Sequence, residues 1–229
     1  MIEELLPETV VTVEAYGEEG VREFGDGPLY PEEEALVARA VAKRRREFTL
    51  VRCCARRAME KLGVAPQAVL PGERGAPQWP AGLTGSMTHC DGYGAAALVR
   101  ATDLASLGID AEPHQPLPDG VLSAIALPAE AERLRALAAH RPGVHWDRLL
   151  FSAKESVYKA WFPLTRKWLD FSEADIDVDA GLEDETQGTF RARLLVPGPA
   201  VGSRRIDHFD GRWTVERGLV ATAITVARA

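Results

Sequence analysis

The order of helical and extended patterns along the chain constrains its fold more than any other feature, because each half combines helices with about three strands. Glu8 to Ala15 alternates apolar and polar residues as a strand does. Pro31 followed by Glu32, Glu33 and Glu34 starts a helix, with proline at the first turn and acids at the positive end of the dipole. Leu36, Val37, Ala40 and Val41 continue it, and it is expected to end near the arginines that follow. Val51, Ala55, Ala58 and Leu62 form a second helical stripe, stopped by Gly63 and Pro66. Residues 71–85 hold four Gly and three Pro and read as loop. Gly94 to Ala101 and Leu104 to Glu112 read as two short strands joined by a turn. Helical patterns follow at 119–126, 129–140 and 145–161, the last closed by Pro163. The tail returns to strands in Phe190 to Val196, Trp213 to Glu216 and Val220 to Val226. The expected class is α+β, in two halves, 1–108 and 109–229.

A chain of 229 residues with 46% apolar and 27% charged residues buries its own core, which excludes disorder and coiled coil. No apolar run reaches membrane-spanning length, and Met1-Ile2-Glu3-Glu4 is acidic where an export signal would be basic. Cys53, Cys54 and Cys90 form no disulfide framework, so a reducing cytoplasm is the expected setting. The net charge of −7 argues against a nucleic-acid surface. Between Lys43 and Arg57, however, seven cations stand against the single acid Glu47. Such a stretch suits either a small anionic ligand or the end of a solvated helix.

Three clusters carry chemistry. In Gly108-Ile109-Asp110-Ala111-Glu112-Pro113, the two acids stand two apart at a strand end and face one side. They form half of a Mg²⁺ site or a solvated acidic turn. In the helix from 145, Trp146, Leu149, Leu150, Ala153, Val157 and Ala160 make the core stripe. Phe151, Glu155, Tyr158 and Lys159 fall on the other side, where two aromatic rings imply that this face lines a cleft. The alternative for Glu155 and Lys159 is an i,i+4 surface pair. Ser156 and Lys159 also satisfy S-x-x-K, but the chain has no S-D-N or K-T-G partner. In Ser86-Met87-Thr88-His89-Cys90, a histidine among hydroxyls could donate to a phosphate or serve the structure alone. No His or Cys pair has zinc spacing.

Together, Gly108-Ile109-Asp110, a gap of 40 residues, and Phe151-x-x-Lys154-Glu155-Ser156-x-x-Lys159-Ala160 resemble the signature of 4′-phosphopantetheinyl transferases. The Gly- and Pro-rich loop and Ser86 to His89 match that family's upstream segments, so the resemblance spans about residues 40 to 165. It is closest to the surfactin-type, enterobactin-synthase-like branch with its actinobacterial members. One departure is Gly75-Ala76-Pro77, where many members read Gly-Lys/Arg-Pro; here the basic residue is Arg74.

The resemblance implies a cytoplasmic, monomeric enzyme of two pseudo-symmetric α+β halves, each with helices on a small, mainly antiparallel sheet. Coenzyme A would lie between them. Its 4′-phosphopantetheine arm would pass to a serine of an apo acyl or peptidyl carrier protein, releasing adenosine 3′,5′-bisphosphate. Asp110, Glu112 and Glu155 would hold Mg²⁺, with Mn²⁺ as the alternative. Glu155 and Lys159 would act in catalysis, and Lys159 with Lys154 would assist at the phosphates. Arg44 and Arg52 would hold the 3′-phosphate, with Arg74 nearby in the cofactor site, and Thr88 and His89 would contact a coenzyme A phosphate. The segment from Leu117 to Leu137, with Leu122, Ile125, Ala126 and Leu127, is the candidate carrier-docking surface or an ordinary buried helix stripe. A sensor that binds coenzyme A without catalysis should have lost part of the acidic set or Lys159, and this chain keeps both.

Overall fold

The computed structural model describes residues 1–181 and 186–228. Its elements run β1 (Val11–Tyr16), α1 (Gly17–Gly25), α2 (Pro31–Val37), α3 (Ala42–Lys61), β2 (Leu83–Cys90), β3 (Tyr93–Arg100) and β4 (Leu104–Pro113). There follow α4 (Val121–Ile125), α5 (Pro128–His140), α6 (Trp146–Thr165), β5 (Ala174–Asp179), β6 (Gln187–Leu194), β7 (Ala200–Val201), β8 (Arg204–Arg205), β9 (His208–Glu216) and β10 (Leu219–Ala227). The class is α+β, and every strand pairing is antiparallel. A three-stranded sheet has the order β1-β3-β2, and a five-stranded sheet the order β4-β10-β9-β6-β5.

Each sheet carries one long helix. Leu50, Cys54, Ala55, Ala58 and Met59 of α3 pack on Val13, Ala15, Ala96 and Leu98 of the small sheet. Leu149, Leu150, Ala153, Val157 and Ala160 of α6 pack on the large one, among Phe190, Trp213, Val220 and Ile224. A third core of small and branched residues, from Ile2 and Leu5 to Ala95, Ala97, Leu107, Ile109 and Ala221, joins the two sheets. No helix among the described residues is long and apolar enough to cross a membrane.

Three local readings change. The arginines open α3 rather than close the preceding helix, and Val41, extended and 74% exposed, separates the two. Helix α6 runs through Pro163 to Thr165 and ends at Arg166, in the left-handed region at φ 56°. A proline removes a single donor, and in a last turn the helix tolerates that loss. The loop of 71–85 gives way to strand at Leu83. Strands β3 and β4 do not pair; the chain turns at residues 101–103 and leaves the small sheet for the edge of the large one beside β10. Helix α1, strand β5 and the two-residue strands β7 and β8 had no sequence reading. Helix α1 carries three glycines that weaken its pattern, and β5 (Ala-Asp-Ile-Asp-Val-Asp) is half acidic.

Candidate functional site: an acidic strand end beside a basic cleft

Strand β4 lies at the sheet edge, so its outer N–H groups have no ladder partner. Two hydroxyls of β2 supply one. Ser86 Oγ accepts from Ile109 N–H and Thr88 Oγ1 from Ala111 N–H, both at 3.1 Å. The Thr88 hydroxyl then donates to Asp110 Oδ1 at 3.3 Å. Thr88 is buried, its one hydroxyl proton goes to Asp110, and it does not line the cleft, so here it fixes the strand and makes no approach to the expected phosphate position. Gly108 lets α6 come down onto β4, since a Cβ there would collide with the Ser156 carbonyl and lie 2.8 Å from Ala160 N.

That contact brings one stripe of α6 over the acids of β4. Arg148, Glu155 and Lys159 are spaced seven and four apart and share a face. Lys159 Nζ donates to Asp110 Oδ1 at 2.7 Å and to the Ile109 carbonyl at 3.0 Å. Arg148 pairs with Glu112 at 3.2 Å. Glu155 stands between the two cations in sequence. Asp110 is 4% exposed, and its Oδ2 is buried without a hydrogen-bond donor. Burial pushes the Glu112 carboxyl up to about 7, the Asp110 charge adds to this, and Arg148 and Lys159 oppose it. Burial likewise raises Glu155, opposed by Lys159 and reinforced by Asp110.

These acids offer the hard oxygen donors that Mg²⁺ takes, and the orphaned Oδ2 of Asp110 fits such an ion. They do not yet gather about a single point. Among the described residues, no three His, Cys, Asp or Glu side chains stand close enough to hold a metal. In this arrangement Glu112 turns to Arg148, and one oxygen of Asp110 turns to Lys159.

A cavity of about 1040 Å³ opens beside them, lined by Arg44, Arg52, Arg74, His89, Glu155 and Lys159. The Arg52 guanidinium lies 3.1 Å over the Phe48 ring, bonded to the Val69 and Phe48 carbonyls. Burial lowers its pKa to about 10, and Glu33, 4.0 Å away, opposes this. Arg44 approaches His89 Nε2 at 3.3 Å. Burial lowers the His89 pKa; Glu47 raises it, and Arg44 and Lys159 add to the lowering. Arg74 sits in a turn at φ 54°, 5.3 Å over the exposed Trp168 ring. Tyr158 and Arg166 also line the cavity, and the Tyr158 hydroxyl is buried without a partner. Of the four residues read onto the cleft face of α6, Phe151 alone is absent from this lining; its ring lies 6.4 Å from that of Phe171. Arg148 and Arg166 had no sequence signal; Arg148 acquires its meaning from Glu112, distant in the chain, and Arg166 from its place on the cavity wall.

Burial bears on two further expectations. The Lys154 ammonium is 1% exposed and gives its three protons to Glu130 (2.9 Å), the Phe171 carbonyl (2.6 Å) and the Ala174 carbonyl (2.9 Å). None is left for a phosphate. Along the candidate docking stripe, Ile125 is buried, and the partly buried Leu122 and Ala126 pack against the core, which agrees with the buried alternative at these three positions.

Comparison with known proteins agrees with this geometry. Residues 32–99 match the family model described as the 4′-phosphopantetheinyl transferase N-terminal domain, and residues 106–195 match that of the 4′-phosphopantetheinyl transferase superfamily. The chain is 59% identical to 4′-phosphopantetheinyl transferase Svp of Streptomyces mobaraensis, over 99% of this chain and 89% of that one. It is 49% identical to 4′-phosphopantetheinyl transferase PptT of Mycobacterium tuberculosis, over 99% and 98%. Enterobactin synthase component D of Salmonella typhi is 33% identical over 52% of this chain and 49% of its own length. The chain belongs to the 4′-phosphopantetheinyl transferase superfamily and is an enzyme of that class.

Proposed function

We propose that the protein transfers the 4′-phosphopantetheine arm of coenzyme A to a serine of apo acyl or peptidyl carrier proteins, with Mg²⁺, releasing adenosine 3′,5′-bisphosphate. One observation carries the reading: Glu155 and Lys159 line a basic cavity of about 1040 Å³ and, through Lys159, adjoin the buried Asp110.

The reaction forms a bond from the serine oxygen to the phosphorus bearing the pantetheine arm and breaks that phosphorus's bond to the adenosine bisphosphate. Such transfers need positioning and charge neutralisation more than covalent help. Arg44, Arg52 and Arg74 hold the 3′-phosphate, with His89 at a neighbouring phosphate. Two protons of Lys159 are used by Asp110 and Ile109, which leaves a third for the transferring phosphate. Glu155, which lines the cavity beside Lys159, takes the serine proton directly or through a water. Asp110, Glu112 and Glu155 are the acids that would hold Mg²⁺, which supplies Lewis-acid charge to the pyrophosphate when bound.

The halves 1–108 and 109–229 are read as pseudo-symmetric about the cleft. A repeated device supports this. Glu33 of α2 accepts from Tyr30 N, Val69 N and Arg56. Glu130 of α5 accepts from Leu127 N, Ile176 N and Lys154. Both follow a proline at the helix start, and both pair with a cation of the long helix. Lys154 is thus the counterpart of Arg56, a structural role. The reading further places a monomer in the cytoplasm, serving carriers of polyketide, nonribosomal-peptide or siderophore assembly. Incubation with coenzyme A, Mg²⁺ and an apo carrier domain tests it by intact mass. The carrier gains one phosphopantetheine arm, and EDTA abolishes the gain; an unchanged carrier mass refutes the proposal.

A further inference from the structure

Arg148 is the most heavily bonded cation at the acidic strand end. Its NH1 donates to Glu112 Oε2 at 3.2 Å, its Nε to the Gln115 carbonyl at 3.1 Å and its NH2 to the Pro116 carbonyl at 2.9 Å. Two further bonds fasten the same segment to the start of α6. Leu117 N–H donates to Asp147 Oδ2 at 2.7 Å, and His145 N–H donates to His114 Nε2 at 3.0 Å. The six residues after Ala111 therefore form a strap on the first turn of α6, and the only one of these bonds that reaches an acid of the site comes from Arg148. The side chains of Arg148 and Glu112 are 15% and 21% exposed, so this pair is shielded well enough to fix an orientation. A guanidinium can serve three acceptors in a plane; an ammonium of similar reach presents a single nitrogen.

We infer that Arg148 is a positioning residue that aims Glu112, and so sets how strongly the acids of β4 and α6 take a divalent cation. This rests on the reading of Asp110, Glu112 and Glu155 as the cation-binding set. Arg148 lies seven residues before Glu155 on the same helix face. The helix that supplies one acid of the set therefore also aims another. Residues that orient a ligating carboxylate commonly account for about 10- to 100-fold in metal affinity.

The test is Mn²⁺ binding to the whole protein without coenzyme A or carrier, read from the electron paramagnetic resonance of free Mn²⁺. Arg148→Gln and Arg148→Lys should each weaken Mn²⁺ binding by about 10- to 100-fold. Coenzyme A affinity, measured calorimetrically without a divalent cation, should stay within about twofold, since Arg148 does not line the cleft. Asp147→Asn loosens the same strap without touching Glu112. It should lower the melting temperature and leave Mn²⁺ affinity unchanged. Unaltered or tighter Mn²⁺ binding by both Arg148 variants, or an equal loss in Asp147→Asn, overturns the inference. A wild-type protein that transfers no phosphopantetheine arm refutes the functional reading instead. One that transfers the arm, with Mn²⁺ binding unchanged by either Arg148 substitution, leaves that reading intact and removes only the role of Arg148.

Discussion

Gly108 of β4 and Ser156 of α6 meet backbone to backbone: a Cβ on Gly108 would overlap the Ser156 carbonyl oxygen and come within 3.1 Å of its carbon. No flexible side-chain tip can yield there, so Gly108→Ala should lever the helix away from the strand. Overpacking of this kind costs about 1–3 kcal/mol or more. Urea denaturation should show that loss. Turnover should fall further than stability explains, because the same contact sets Lys159 at 2.7 Å from Asp110.

Glu155→Gln separates base from scaffold. The amide keeps the side-chain volume and removes both the charge and the basicity. Turnover should drop at least about 100-fold, the scale of general-base catalysis. Coenzyme A affinity, measured by calorimetry, should change only a few-fold. Equal losses in both would show that Glu155 holds the cation and takes no proton.

Arg44 should discriminate the 3′-phosphate. It lines the basic wall beside His89 and uses one guanidinium nitrogen in that contact. Arg44→Ala should raise the KM for coenzyme A about tenfold or more and leave the KM for 3′-dephospho-coenzyme A almost unchanged, since a charge-assisted hydrogen bond contributes about 1.5–3 kcal/mol. Parallel kinetics with the two substrates measure the difference.

Asp175 should make stability depend on acid. Burial disfavours its charge, but hydrogen bonds from Arg193 and Arg133 outweigh that and hold its carboxyl below the usual range. A lowered folded-state pKa adds stability above the unfolded value of about 3.9, and that stability is lost as pH falls through the folded value. Asp175→Asn should therefore cost about 1–3 kcal/mol at pH 7, where it removes the charge and one of the two oxygens that accept from Arg133 and Arg193. The gap between variant and wild type should narrow below about pH 4 in a series of denaturant titrations.

The sequence by itself determined the elements whose periodicity is strong and the chemistry whose spacing is short. The core stripe of α6, the start of α2 at Pro31 and the strand carrying Asp110 and Glu112 are all local, set by residues within a few positions of one another. The family resemblance pointed to the acids proposed to hold the cation. Tertiary structure alone decided what each polar group spends its bonds on. Lys154 and Thr88 stand within the family's motifs, yet their protons go to Glu130, two backbone carbonyls and Asp110. Arg148 lies outside any motif and grips Glu112. Strand β4 likewise pairs with β10, more than a hundred residues away, and not with its neighbour β3. A side chain's type states what it can donate or accept. Which partner it finds depends on the packing of segments far apart in the chain, and no local pattern encodes that distance.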